Sequence, residues 1–160
     1  MKILKIETEV DVFDTLEETS SDVQELMEAA IEARKNAYAP YSKFSVGAAI
    51  LLDNGEVVTG NNQENASYPS GLCAERTAVY YAASKFPQNK IQSIAISAGS
   101  LLKTTLNPVA PCGACRQAIA EYEIKQDSPI EIYFMGETGK VVRSKSLSNL
   151  LPLIFDGSNL

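Results

Sequence analysis

The chain has 160 residues, 45% of them hydrophobic, a net charge of −6 and no histidine. That length suits one compact domain with a real core, and the acidic balance argues against a general attraction to nucleic-acid backbones. Without histidine no Ser-His-Asp or Cys-His arrangement can form, so a general base must be a carboxylate, lysine, tyrosine, thiolate or metal-bound hydroxide.

No stretch is long and apolar enough for a transmembrane helix, and the start of the chain has no secretory core. A cytoplasmic protein with no membrane partner is the expectation. Three cysteines fit a closed disulfide framework poorly, and fit a reduced compartment with a metal better.

Residues 3–13 alternate: Leu4, Ile6, Thr8, Val10 and Val12 on one side, Lys5, Glu7, Glu9 and Asp11 on the other. This is the pattern of a half-buried strand. Residues 14–20 are acidic and polar and read as a linker, so residues 1–20 are set apart as an N-terminal extension and 21–160 as the domain. A helix begins at Ser21, with Gln24 completing a capping box. Val23, Leu26, Met27, Ala30, Ile31 and Ala37 keep helical spacing, and Pro40 ends the pattern.

Phe44 to Leu52 reads as a strand, and Asp53-Asn54-Gly55-Glu56 as a hairpin turn. Val57 begins the return strand, and residues 61–71 form a polar loop. Cys73 to Phe86 is helical in composition, Ile91 to Ala98 strand-like, and residues 99–111 a loop. A helix over Cys112 to Tyr122, strands over Ile130 to Met135 and Lys140 to Arg143, and a short apolar helix within Ser146 to Phe155 complete the chain. This order suggests an α/β sandwich, with helices packed on a mixed sheet.

The chemistry concentrates in Cys73-Ala74-Glu75 and Pro111-Cys112-Gly113-Ala114-Cys115. Both motifs fall where a helix begins, and orphan N–H groups with a positive dipole end favour thiolate there. Three thiolates suit tetrahedral zinc and leave a fourth position for water. Glu75 is placed to move that water's proton. Arg76 beside it can donate to the ligand sulfurs and offset their charge. Taken alone, Cys-x-x-Cys is more often a structural zinc or redox pair. A closed structural site needs a fourth ligand, which here would have to be a carboxylate or come from a second subunit. A redox reading leaves Cys73-Ala74-Glu75 unexplained.

These residues resemble the all-cysteine form of the zinc nucleobase deaminase signature, with a non-ligand glutamate and Pro-Cys-x-x-Cys. Over residues 21–155 the chain resembles the small, homotetrameric, zinc-dependent cytidine deaminases. Four blocks carry the likeness: Phe44-Ser45-Val46-Gly47-Ala48-Ala49, Asn62-Gln63-Glu64-Asn65-Ala66-Ser67-Tyr68, Cys73-Ala74-Glu75-Arg76-Thr77-Ala78 and Pro111-Cys112-Gly113-Ala114-Cys115-Arg116-Gln117. The resemblance implies a three-layer α/β sandwich, with a mixed sheet of about five strands and helices on both faces.

It also implies roles. Cys73, Cys112 and Cys115 hold one zinc ion per subunit, and Glu75 shuttles protons while zinc hydroxide attacks C4 of cytidine or deoxycytidine in pyrimidine salvage. Phe44 packs on the pyrimidine, Asn62 and Glu64 bond the ribose hydroxyls, and backbone groups around Ala74 read the ring edge. Tyr68 lies in an active-site loop near a subunit boundary, and Phe155 is lent to a neighbouring subunit's site. The partners implied are a small nucleoside substrate and a homotetramer, without nucleic acid. The first twenty residues, and Phe155-Asp156-Gly157 in place of the commoner Gly-Pro after the aromatic, depart from the family pattern. Rival readings are a blasticidin-type or other aminopyrimidine nucleoside deaminase, a polynucleotide deaminase, and a non-catalytic zinc scaffold.

Overall fold

The structure, a computed structural model, describes residues 1–160 apart from the side chain of residue 159. Six strands and three α-helices alternate along the chain: β1 (Asp11–Phe13), α1 (Ser21–Arg34), β2 (Phe44–Leu52), β3 (Val57–Asn61), α2 (Ala74–Lys85), β4 (Ile91–Ser100), α3 (Gly113–Gln126), β5 (Glu131–Met135) and β6 (Val141–Ser144). The strands form one sheet in the order β1-β6-β5-β4-β2-β3. Only β4 and β5 run parallel; the other pairs are antiparallel, so the sheet is mixed.

Side-chain alternation builds two cores from one sheet. On one face Ala48, Ile50, Ile94, Ile96, Ile132 and Phe134 meet Ala78 and Val79 of α2 and Ile119 of α3. On the other, Ala49, Ala95, Tyr133 and Met135 meet Val23, Leu26, Met27 and Ala30 of α1. The layers are therefore α1, sheet, and α2 with α3. Because both faces are covered, β2 and β4 read as nearly continuous apolar runs.

Two glycines let helices sit directly on strands. A Cβ at Gly47 would fall 2.0 Å from the carbonyl oxygen of Ala30 in α1. One at Gly60 would lie 2.7 Å from the Ala78 nitrogen and 2.8 Å from the Ala74 oxygen in α2. In both cases the obstacle is backbone, which cannot rotate away. Gly55 serves another need, closing the β2–β3 hairpin at φ +84°, as the Asn-Gly signal predicts.

The N-terminal expectation needs correction. Of residues 3–13, only Asp11–Phe13 join the sheet, against Arg143–Val141 of β6. The phase is also opposite. Phe13 packs into the α1-side core, while Val10 and Val12 stay exposed. Asp11 explains the register: its carboxylate accepts from Arg143 Nε at 2.8 Å and Nη2 at 2.6 Å. Fixing that pair turns Val12 outward, since a one-residue change of phase exchanges the faces of a strand. β6 is four residues long, which limits the ladder available to the rest of the segment. The 14–20 linker is more ordered than expected, with a 3-10 turn at Leu16–Glu18 and Leu16 packed against the α1-side core.

α1 begins as expected, but its cap differs. Ser20 is the N-cap and makes no side-chain bond; Gln24 Nε2 instead donates to the Thr19 carbonyl at 2.8 Å. The helix stops at Arg34, six residues before Pro40, and Ala37 lies outside it. The N–H groups of Lys35, Asn36 and Ala37 each bond a carbonyl three residues back, tightening the last turn. Tyr38 then pairs with Gln63 as an isolated bridge, which draws the chain out of the helix. α3 runs four residues past Tyr122 and ends at Asp127, a left-handed cap at φ +50°. Residues 146–155 hold one 3-10 turn, Leu147–Asn149, with Leu147 buried, rather than the expected short helix.

Replacing Gly60 with alanine should force α2 off β3 and lower the unfolding free energy by about 1–3 kcal/mol. A urea midpoint equal to that of the parent would show that α2 yields without cost.

Candidate active site

β2 is antiparallel to both β3 and β4, so β3 and β4 end at the same edge of the sheet. The chain leaves β3 for α2 and β4 for α3. Both helices therefore start at that edge with their N-termini close together. Cys73 is the N-cap of α2 and Cys112 the N-cap of α3, each extended in backbone and neither making a side-chain cap bond. Cys115 follows in the first turn of α3 and is fully buried.

The three sulfurs lie within 4.8 Å of one another. Cys73 and Cys112 are 3.9 Å apart, Cys112 and Cys115 3.5 Å. A tetrahedral zinc with bonds of roughly 2.3 Å would separate its sulfurs by about 3.8 Å. The donor set thus fits one zinc ion in type and spacing, and among the described residues it is the only such cluster of His, Cys, Asp or Glu. Among the described residues no fourth ligand of those types joins it.

Glu75 is buried, in the first turn of α2. Burial pushes its carboxyl above the usual range, and the neighbouring Cys73 thiolate adds to the rise. Arg76 Nη2 donates to Cys73 Sγ at 3.6 Å, while its buried Nε has no partner. Hydrogen bonds from Cys115, Arg76 and Cys112 bring the Cys73 thiol down to about 5 against the effect of burial. The Cys73 thiolate and burial push the Cys115 thiol up. Without a cation the cluster keeps protons; a divalent metal replaces them.

A cavity of about 460 Å³ opens beside Cys73, lined by Tyr41, Asn62, Glu64, Tyr68, Leu72 and Arg76 among others. It exists because Gln63 and Leu72 exchange backbone hydrogen bonds of 2.9 and 3.0 Å, which folds the 61–71 loop back beside Cys73. Asn62 spends its amide on the backbone of β2: Oδ1 accepts from the Val46 N–H at 2.7 Å and Nδ2 donates to the Phe44 carbonyl at 2.9 Å. Glu64 Oε2 accepts from the N–H groups of Tyr41 at 2.9 Å and Ser42 at 3.2 Å. Ser42 first, with these amides, holds the Glu64 carboxyl below the usual range.

The remaining expected residues divide. Ala74 is wholly buried at the head of α2. Phe44, half-buried at the head of β2, shares the α2/α3 side with Val46, which packs on that core. Tyr68 is 75% exposed, its ring centroid 5.9 Å from that of Tyr41. Phe155 is 59% exposed and is not among the residues lining the cavity; its carbonyl accepts from Gln117 Nε2 at 2.8 Å. Sequence reasoning assigned no role to Tyr41, Ser42 or Arg116. Arg116 ties the head of α3 to the tail through the carbonyls of Pro111 at 2.8 Å and Leu150 at 2.9 Å. Its place beside Cys115 was the available signal. For Tyr41 there was only an aromatic after a proline.

Residues 20–127 match the model of the cytidine and deoxycytidylate deaminase zinc-binding region. The chain belongs to the cytidine and deoxycytidylate deaminase family. A cytidine deaminase of Halalkalibacterium halodurans is 41% identical over 139 residues, 87% of this chain and 98% of the relative. One of Sporosarcina psychrophila is 38% identical over 139 residues, 87% and 95% of the two chains. Among solved structures, the cytidine deaminase of Burkholderia pseudomallei superposes with a TM-score of 0.72 at 38% identity, covering 86% of this chain and all of that one. Like other members, this chain is a zinc-binding hydrolase. This chain's sheet has the expected mixed character, with six strands where about five were expected.

Removing the Arg76 guanidinium raises the proton affinity of Cys73, so protons compete with the metal at higher pH. Arg76→Gln should therefore release zinc at a higher pH than the parent on acid titration, followed with a colorimetric chelator. Coincident release curves would remove Arg76 from that role.

Proposed function

We propose that the protein deaminates cytidine and deoxycytidine hydrolytically, giving uridine or deoxyuridine and ammonia. The observation that carries this reading is a buried carboxylate, Glu75, two residues after one of three clustered thiols, beside a cavity open to a nucleoside-sized ligand. Cys73, Cys112 and Cys115 hold zinc, which when bound acidifies a water and so supplies the nucleophile at neutral pH.

The overall reaction forms a C4–O bond, breaks the C4–N bond and moves protons from water to the ring and the departing amine. Glu75 performs those transfers: it accepts a proton from the water, delivers one to N3 and then assists the amino group to leave. A carboxyl whose proton affinity is raised by burial is suited to both accepting and returning a proton. Arg76 shields thiolate charge. Phe44 packs on the pyrimidine, and backbone groups at Ala74, on the head of α2, read its edge. Asn62 and Glu64 receive the ribose hydroxyls: Glu64 with Oε1, Asn62 with the lone pair and N–H its backbone bonds leave over.

Tyr68 and Phe155 are apolar groups exposed on a single subunit, and the reading covers both with neighbouring subunits of a homotetramer. Residues 21–160 form the deaminase domain and 1–20 an extension of it. Among the described residues no helix is long and apolar enough to cross a membrane, and a role in cytoplasmic pyrimidine salvage completes the proposal.

Glu75→Gln should retain about one zinc per chain yet lose at least about 100-fold in turnover of cytidine, the scale of a lost acid–base group. Ultraviolet assay beside metal analysis checks this. Near-parental turnover would remove Glu75 from the chemistry, and inactivity of the parent on cytidine and deoxycytidine would remove the function.

A further inference from the structure

Among the described residues only Lys43 and Asp127 combine a side chain with positive φ, at 56° and 50°. Asp127 stops α3, a common use of the left-handed conformation. Lys43 ends no helix. Lysine has neither the missing Cβ of glycine nor the short hydrogen-bonding side chain of asparagine, and the left-handed region disfavours it. Such conformations persist where the surroundings fix them, and they cluster where geometry serves a ligand.

The surroundings of Lys43 do fix it. Its N–H donates to the Ala39 carbonyl at 3.2 Å, and its carbonyl accepts from the Leu101 N–H at 2.8 Å. Immediately before it, the N–H groups of Tyr41 and Ser42 converge on Glu64 Oε2. Successive amides pointing to one place form an anion cradle. Immediately after it, Phe44 begins β2, with its N–H on Ser42 Oγ at 3.1 Å and its carbonyl held by Asn62. A single left-handed residue therefore joins the amides that grip Glu64 to the backbone that carries Phe44.

We infer that Lys43 is a positioning residue, whose left-handed backbone sets the Tyr41–Ser42 cradle around Glu64 and fixes that carboxylate relative to Phe44. The role belongs to the backbone of Lys43 and not to its ammonium group. With Oε2 occupied by two amides, Glu64, which lines the cavity, has Oε1 to offer a ligand. The ligand class it selects is a nucleoside bearing sugar hydroxyls, over one with a bare sugar. The inference rests on the proposed reading of Glu64 and Phe44 as nucleoside contacts.

The test compares the full-length, zinc-loaded protein with Lys43→Val, Lys43→Ala, Lys43→Gly, Lys43→Asn and Glu64→Gln. KM and kcat are measured for cytidine, and the affinity of 2′,3′-dideoxycytidine is measured as competitive inhibition. Valine is the least tolerant of positive φ, and glycine and asparagine the most. Lys43→Val should raise KM for cytidine by about tenfold, with kcat within about twofold and dideoxycytidine affinity unchanged, the pattern of lost uniform binding. Lys43→Ala should move the same way by less, and it carries the comparison if the valine variant does not fold. Lys43→Gly and Lys43→Asn should match the parent. Zinc content and melting curves establish that each variant is folded.

Glu64→Gln separates the two layers of argument. If it leaves the cytidine-to-dideoxycytidine preference unchanged, the sugar reading of Glu64 fails. If it abolishes that preference while Lys43→Val and Lys43→Ala preserve it, the inference about Lys43 fails. It also fails if Lys43→Gly behaves as Lys43→Val does, because the lysine side chain would then be the active group.

Discussion

Two helices aim their positive ends at one point, and the rest of the molecule is arranged around that constraint. The N-termini of α2 and α3 meet with Cys73 and Cys112 at their N-cap positions. A helix normally satisfies its first N–H groups with a serine, threonine or aspartate cap worth about 1 kcal/mol. Neither thiol makes that bond here. Both helices forgo a cap so that their first side chains can serve as metal ligands, and two like dipole ends come together only if negative charge lies between them. Thiolates provide that charge, and Arg76 and the metal keep it from becoming excessive. Metal binding and local folding are therefore one equilibrium at this corner.

The sheet makes the convergence possible. Since β3 and β4 point the same way, the connections into α2 and α3 emerge along one edge. The parallel β4–β5 pair needs a crossover connection, and α3 is that crossover. Gly60 brings α2 against β3 with no side chain between, so the position of Cys73 and Glu75 follows the backbone of the sheet. Glu75 is buried in the first turn of α2, where a carboxylate on an exposed helix would be solvated. Burial raises its proton affinity, and the Cys73 thiolate beside it adds to the rise.

The interior was legible in the sequence where a local signal and the tertiary outcome coincide. β2, the Asn54-Gly55 hairpin and the starts of all three helices follow from apolar runs, turn residues and the cysteine motifs. The ligand set was legible because Cys73-Ala74-Glu75 and Cys112 to Cys115 compress chemistry into short spacing. What failed depended on distant partners. The Leu4–Val12 alternation gave a strand with the wrong buried face, because Arg143, over 130 positions away in sequence, fixes Asp11 and with it the register. Pro40 marked a helix end that comes earlier, because Tyr38 is captured by Gln63. The apolar tail over Ser146 to Phe155 suggested a short helix, but Leu147 alone is buried there, and Pro152 interrupts any continuation.

The cavity illustrates how binding groups acquire their orientation before a ligand arrives. Asn62 bonds two backbone positions of β2, and Glu64 accepts two amides of the Tyr41–Ser42 turn. Taken as structural bonds, these explain why both side chains sit still in a polar loop. They also leave capacity for a ligand: one lone pair and one N–H on the Asn62 amide, and the Glu64 oxygen that the two amides do not take. A flexible carboxylate and amide would lose rotational freedom on meeting a sugar, whereas these have lost it during folding, and preorganised groups bind more tightly for the same contacts. The polar 61–71 loop is thus better understood as part of the β2 scaffold than as a surface excursion. Its sequence looked solvated because its partners are backbone groups that leave no trace in side-chain patterning.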